Sequence, residues 1–470
     1  MKHPFQISGT YTDQYQLTMA QAYFARGNGD EDAVFDYFFR KLPFDGGYAV
    51  FAGLEVLLEA LEELSFDEDD LDFLKQQGFD PDFIAYLKDF RFKGTIHSAA
   101  EGDVVFPVQP VLRVEGTIIE AQLIETMLLN ILNFQTLIAT KASRMRKVAG
   151  NRTLIDFGMR RAHGTAAHLA SRAAVIGGFD ATSNVQAGIS FDIPVSGTMA
   201  HAYVQSFDDE LSAFRHFAET WPDNCTLLVD TYSTLNSGIP NAIKIAGEME
   251  TAGHRINGIR LDSGDLAYLA KQSRKMLDDA GLGYVKIFAS NQLDEFVIRS
   301  LLEQKAPIDG FGVGTSLVTG QPDAALDGVY KLALAYGKSR IKLSENTAKI
   351  TLPGNKQVLR MYDSNRRLLG ADVVALWEEK DLQEMHHPNY DHKSMGLENC
   401  TGEPLLHPVM ENGKRTRPPM SVTEIAAFSN GKVDELPDEY KRFDNPHIYK
   451  VGLSKALKKQ RDQLIKSMKK

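Results

Sequence analysis

The chain has 470 residues, 43 % of them apolar and 24 % charged, an ordinary globular composition with length for about three domains. Its 52 Lys and Arg against 62 Asp and Glu give a formal net charge of −10, which argues against general nucleic-acid binding but leaves room for a local cationic pocket. Two cysteines, Cys225 and Cys400, make no disulfide framework, residues 1–10 lack the apolar core of a secretory leader, and no run of roughly 18 apolar residues occurs. A cytoplasmic protein with no membrane span is therefore expected.

Residues 33–39 (AVFDYFF) are aromatic and alternating, and predict a strand. Gly46-Gly47 marks a turn, and 48–64 predicts an apolar helix. The acidic stretch 65–90 predicts helix in pieces, and 94–115 holds Pro107 and Pro110 between β-type runs. Residues 1–120 are thus expected to form an α+β domain.

Over 121–340 a short apolar run ending in small polar residues alternates with helix-length stretches. The runs are 153–158 (TLIDFG), 180–184 (DATSN), 193–198 (IPVSGT), 226–231 (TLLVDT), 258–263 (GIRLDS), 286–291 (KIFASN) and 308–315 (IDGFGVGT). Between them, Leu266, Leu269, Ala270, Ser273 and Leu277 recur on one helical face, and Gly281 is a natural stop. Strands alternating with helices predict a parallel α/β core, and seven units favour a closed, TIM-like barrel over an open sheet. Active sites of such barrels lie at the C-terminal strand ends. Each polar end could be a cap or turn by itself, but seven together point to one shared site.

Residues 341–470 are more hydrophilic and carry Pro388, Pro404, Pro408, Pro418, Pro419 and Pro437, which predicts a C-terminal region packed on the barrel. Residues 453–470 predict a solvated basic helix with Leu453, Leu457, Leu464 and Met468 along one side. His386, His387, His392 and Cys400 fit no standard zinc spacing.

Gly312-Val313-Gly314-Thr315-Ser316 follows an apolar run, where glycines let backbone N–H groups approach an anion. It is neither a dinucleotide fingerprint nor a Walker loop, and a tight turn is the plain alternative. In 260–265 (RLDSGD), strand alternation points Arg260 and Asp262 the same way. A guanidinium can stack on a ring or grip a carboxylate, and a carboxylate beside it can bind ribose hydroxyls or hydrated Mg²⁺. A structural ion pair is the alternative. Asp230 offers a second carboxylate, suited to a metal or to an oxocarbenium-like sugar, and the spacing leaves both open. His201, closing 196–201 (SGTMAH), can be a nucleophile or proton carrier as well as a structural histidine. In 156–161 (DFGMRR), Phe157 could form one jaw on a flat heterocycle with Arg260 as the other, or simply pack in the core.

These segments, with 11–15 (YTDQY), 38–44 (FFRKLPF), 230–233 (DTYS) and 289–291 (ASN), resemble the nicotinate phosphoribosyltransferase family in order along the chain, and the C-terminal third resembles it more weakly apart from 352–356 (LPGNK). The resemblance implies an α+β N-terminal domain on the irregular TIM-like barrel of the type II phosphoribosyltransferases, with a C-terminal extension, acting as a homodimer with a shared active site. It implies joining nicotinate to 5-phosphoribosyl 1-diphosphate, yielding nicotinate mononucleotide and diphosphate in NAD salvage, with ATP as co-substrate and Mg²⁺ as cofactor. His201 then resembles a histidine transiently phosphorylated by ATP. Tyr15, Thr198 and Arg260 resemble nicotinate contacts, Tyr15 from across the dimer interface. Thr315 with Gly312 and Gly314 resembles a ribose 5-phosphate site, and Phe157 with Arg260 a stacking pair. Arg160, Asp230 and Asp262 fall on the ribose and diphosphate side, and Asn291 joins the substrate-binding set. Which carboxylates hold the metal is left open.

Ser183 falls where the related nicotinamide enzyme carries an acidic residue, and a neutral side chain there tolerates the carboxylate of nicotinate. A nicotinamide- or quinolinate-specific transferase is the rival enzyme. A silent nucleotide-binding barrel is disfavoured by the intact Asp230, Arg260, Asp262 and His201. An aldolase-type barrel would want a lysine at a strand tip, and none of the seven ends has one.

Overall fold

In the computed structural model, residues 7–344 and 350–468 are described. The chain divides into two compact units, Lys141–Ala324 on the one hand and Phe5–Thr140 with Ala325–Lys470 on the other. The three regions read from the sequence are thus grouped as two, because the N- and C-terminal regions share one sheet. Strand Asp32–Phe39 pairs antiparallel with Leu112–Thr117 on one side and Gly328–Ala335 on the other. Thr95–Ser98 pairs with His407–Glu411, which extends the same seven-stranded sheet.

The expected helix over 48–64 begins only at Leu54, as Leu54–Glu63. Ala49–Val50 pairs instead with Val104–Val105, and Gly53 turns the chain at φ 104°. Buried Glu101 accepts from the amides of Gly53 (2.6 Å) and Glu55 (2.9 Å), so a carboxylate meets the positive end of the helix. The acidic stretch after it makes helices Glu68–Gln76 and Pro81–Lys88. A six-stranded C-terminal sheet runs from Ser394–Gly396 through Leu368–Leu376 to Thr401–Pro404. The basic helix Lys455–Met468 buries Leu457, while Met468 is exposed.

In Lys141–Ala324 six parallel strands stand in the order Ala181–Thr182, Thr153–Asp156, Gly310–Val313, Lys286–Ser290, Gly258–Leu261, Thr226–Leu228. A parallel bridge from Thr182 to Val195 adds the seventh apolar run. The barrel is irregular: among the described residues no strand pairing joins the Val195 segment to Thr226–Leu228. Helix Leu266–Asp279 buries Ala267, Ala270, Ser273 and Leu277, with Leu266 and Leu269 half-buried. Asp265 caps its start on the amide of Tyr268 (3.0 Å), and Gly281 at φ 76° follows its end. Among the described residues no helix is long and apolar enough to cross a membrane.

Candidate active site

His201 opens helix His201–Gln205, where its Nε2 lies 3.1 Å from Oδ1 of Asp230. The Asp230 side chain is 1 % exposed, and that of His201 39 %, so one partner is fixed and the other faces solvent. Oδ2 of Asp230 accepts from the Asp262 amide (2.9 Å) and from Ser263 Oγ (2.6 Å). Oδ1 of Asp262 accepts a short hydrogen bond from buried Ser290 at the tip of the next strand. Two carboxylates on neighbouring strands are thereby locked by hydroxyl and amide donors.

Arg260 donates to Thr198 Oγ1 (3.0 Å) and to the Met199 carbonyl (3.1 Å). Its guanidinium carbon lies 5.7 Å from the Phe157 ring centroid, a cation–π distance. Burial pushes the guanidinium pKa down, Asp262 and Asp230 push it back up, and Arg160 adds a like charge. Phe157, Arg260, Thr198, Ser196, Thr226, Ile155, Phe288, Ala289 and Gly312 line one pocket. A larger cleft of about 640 Å³, lined among others by Arg366, Glu403, Lys432 and Asp438, contains none of the motif residues.

Asp156 is buried and ties the tip of its own strand to the neighbouring strand Ala181–Thr182 and to helix Ala166–Ile176. It accepts from the Gly158 amide (2.7 Å), Ser171 Oγ (2.7 Å) and Thr182 Oγ1 (2.8 Å). Burial raises its pKa, and these three donors work against that. The Phe157 amide donates to the Val313 carbonyl (2.8 Å), so the aromatic jaw is carried on backbone rather than on a loose loop.

The glycines have a steric reason that the motif alone did not disclose. A Cβ on Gly312 would come within 2.3 Å of the Phe157 ring, and one on Gly158 within 2.0 Å of Val318. Gly314 faces the Phe157 carbonyl, which an added Cβ would meet at 3.2 Å.

The barrel unit thus brings together Phe157, Thr198, Arg260 and Gly312 in the pocket, and His201, Asp230 and Asp262 in a second, directly bonded set. Arg160 is exposed on the turn Met159–Arg161, and Thr315 is exposed at the start of Thr315–Val318. Asn291 is exposed at φ 81°, just past Lys286–Ser290. Ser183 is half-buried, its amide donating to the Asp156 carbonyl (2.8 Å), and it does not line the pocket. Tyr15 belongs to the other unit, 51 % exposed on the first turn of Gln14–Ala25. Asp156, Ser171, Ser263 and Ser290 carry no site signal of their own in the sequence, although Asp156, Ser263 and Ser290 stand inside the segments 156–161, 260–265 and 289–291. Among the described residues no group of three or more His, Cys, Asp or Glu is arranged to hold a metal.

The tips of the parallel strands join a cationic, ring-faced pocket to two fixed carboxylates. Matching family models cover most of the chain: the nicotinate phosphoribosyltransferase N-terminal domain over residues 10–133, the family itself over 153–383 and its C-terminal domain over 355–461. The chain belongs to the nicotinate phosphoribosyltransferase family. It is 46 % identical to the Bacillus subtilis nicotinate phosphoribosyltransferase across 97 % of this chain and 96 % of that one. It is 37 % identical to that of Caenorhabditis elegans, over 95 % and 91 % of the two chains. The crystal structure of the human nicotinic acid phosphoribosyltransferase superposes with a TM-score of 0.86 at 30 % identity, covering 96 % of this chain and 99 % of that one.

Proposed function

We propose that this chain joins nicotinate to 5-phosphoribosyl 1-diphosphate: the pyridine nitrogen bonds to C1 of the ribose as the C1–oxygen bond breaks and diphosphate leaves. The observation that carries this reading is the pocket where Arg260 and Phe157 face each other beside the bonded pair Asp230 and Asp262. Arg260 supplies the charge for the nicotinate carboxylate, with Thr198 at its side. A ring sandwiched between guanidinium and phenyl needs about 7 Å, two contacts of about 3.5 Å each. The present 5.7 Å therefore opens by about 1–2 Å on binding. Asp262 faces the positive charge that develops on the sugar. Gly314 and Thr315, just past the strand that holds Gly312, offer backbone and hydroxyl donors to the 5-phosphate, with Arg160 and Asn291 at the rim.

His201 is the phosphoryl acceptor in this reading. Its ring nitrogen away from Asp230 attacks the γ-phosphorus of ATP, ADP leaves, and water later releases phosphate. Asp230 steadies the charge on the imidazole. A phosphate on His201 adds negative charge beside the mouth and draws in neighbouring basic groups, which links ATP to substrate affinity. Asp262 keeps one carboxylate oxygen uncommitted, which fits Mg²⁺ arriving on the diphosphate with one protein oxygen as ligand. When bound, the ion offsets charge on the leaving diphosphate. Exposed Tyr15 is the contribution of a second copy in a homodimer, and the reaction is a cytoplasmic step of NAD salvage.

The test is diphosphate release with nicotinate, nicotinamide and quinolinate side by side, and protein labelling by γ-labelled ATP. Turnover of the acid alone, with acid-labile label absent from His201→Ala, is the expected result. Equal turnover of nicotinamide or quinolinate overturns the substrate, and label retained by His201→Ala overturns the phosphohistidine.

A further inference from the structure

Arg260 is surrounded by carboxylates and paired with none of them. Asp262 is two residues along the same strand end, and Asp230 is on the next strand. Leu228, two residues before Asp230, pairs directly with Arg260, yet neither carboxylate forms an ion pair with the guanidinium. The guanidinium donates instead to two neutral oxygens, Thr198 Oγ1 and the Met199 carbonyl, and its Nε is buried with no partner. An arginine with a free carboxylate at this range ordinarily forms a fork-shaped pair, because charge-assisted bonds are stronger than neutral ones. Something must therefore hold the carboxylates away.

The restraint is visible in the two serines. Ser290 donates to Asp262 Oδ1, and Ser263 donates to Asp230 Oδ2 at 2.6 Å, alongside the Asp262 amide. Each carboxylate is thus engaged by a hydroxyl donor, and Asp230 also by His201 at 3.1 Å. We propose that Ser290 and Ser263 are specificity-positioning residues: their hydroxyls keep Asp262 and Asp230 from neutralising Arg260, so that its charge stays available to a carboxylate-bearing ring.

This rests on the reading of Arg260 as the contact for the nicotinate carboxylate. Without Ser290, Asp262 loses its donor and rotates toward the nearest cation. The pocket then presents a neutralised arginine, which weakens an anionic ring and leaves a neutral ring almost untouched. A general loosening of the strand tip weakens both alike, and that contrast separates positioning from structure.

The experiment measures, on the full-length protein, the KM for nicotinate and the inhibition constant for nicotinamide in the unchanged chain, Ser290→Ala, Ser290→Thr, Ser263→Ala and Arg260→Lys. Arg260→Lys tests the underlying reading and is expected to lose discrimination between acid and amide. Ser290→Ala is expected to raise the nicotinate KM about tenfold against an amide constant changed less than about twofold. Ser290→Thr, which retains the hydroxyl, restores the unchanged ratio, and Ser263→Ala acts in the same direction as Ser290→Ala. Discrimination preserved in Arg260→Lys overturns both readings. Discrimination lost in Arg260→Lys but kept in Ser290→Ala and Ser263→Ala, or a parallel weakening of acid and amide, overturns the serine proposal alone.

Discussion

The His201 ring and the Asp230 carboxylate, 3.1 Å apart, span the seam of the barrel where the strand ladder is interrupted. The Val195 segment leads into His201, and Thr226–Leu228 leads into Asp230, without backbone pairing between them. Arg260 reaches the same side through Thr198 and Met199. Side-chain contacts thus do at the mouth what backbone hydrogen bonds do elsewhere in the wall. A seam held this way can respond to a change of charge on His201, which a continuous ladder would resist.

Asp230→Asn keeps the shape of the side chain and removes its charge. An amide cannot both accept at two oxygens and steady a charged imidazole. Labelling of the protein by γ-labelled ATP is expected to fall about 10²-fold, the lower end of what a positioned acid–base group contributes. ATP-independent diphosphate release is expected to fall less. Labelling at the level of the unchanged chain would show that Asp230 does not serve His201.

The elements of the barrel were legible because its strands are short apolar runs ending in small polar residues. The pocket side chains Phe157, Thr198 and Arg260 were legible through motifs placed at those ends. The roles of Ser263, Ser290 and Asp156 were not, because each depends on a contact between strands that sequence spacing does not encode. Ser290 meets Asp262 across the strand pair Lys286–Ser290 and Gly258–Leu261, 28 positions apart along the chain. The joining of N- and C-terminal regions was equally invisible, since Phe39 pairs with Gly328 and Ser98 with His407 only through long-range register. The late start at Leu54 escaped the apolar pattern because the preceding residues are as hydrophobic as the helix and a buried Glu101 decides the boundary.

Gly312→Ala tests whether the glycine serves the ring. The new Cβ would lie 2.3 Å from Cδ2 and Cε2 of Phe157, so the ring must move by about 1 Å or more to reach ordinary contact. A displacement of that size at a substrate-orienting group costs up to about 10²-fold in rate. The expected result is a fall of tenfold to 10²-fold in kcat/KM for nicotinate. Gly247→Ala, on the exposed face of helix Ile239–Thr251 with open space around the new Cβ, is the control. It is expected to leave kcat/KM unchanged and to stabilise the protein by about 0.5–1 kcal/mol. Equal kcat/KM in the two variants would remove the steric role of Gly312.

Lys356, the last residue of the LPGNK segment, is completely buried, and its Nζ lies 2.7 Å from Oδ2 of Asp36. It also donates to the carbonyls of Leu352 (3.0 Å) and Gly354 (2.5 Å), so the segment wraps its own lysine. Burial raises the Asp36 pKa and lowers that of Lys356, and each partner's charge opposes the shift in the other. Removing one member leaves a buried charge uncompensated, at a cost of about 3–5 kcal/mol, whereas replacing both with apolar residues can be nearly neutral. Lys356→Met is therefore expected to lower the urea midpoint strongly, and Asp36→Leu with Lys356→Met to recover most of the loss. The pH dependence follows from the raised pKa of Asp36. Below that value the folded single variant binds a proton that the unfolded chain, with its ordinary carboxylate, has not yet taken up. Stability of Lys356→Met relative to the double variant should thus improve as pH falls toward the ordinary carboxylate range, and worsen toward neutrality. A deficit that is constant with pH would place its origin in lost packing rather than in the unpaired buried charge of Asp36.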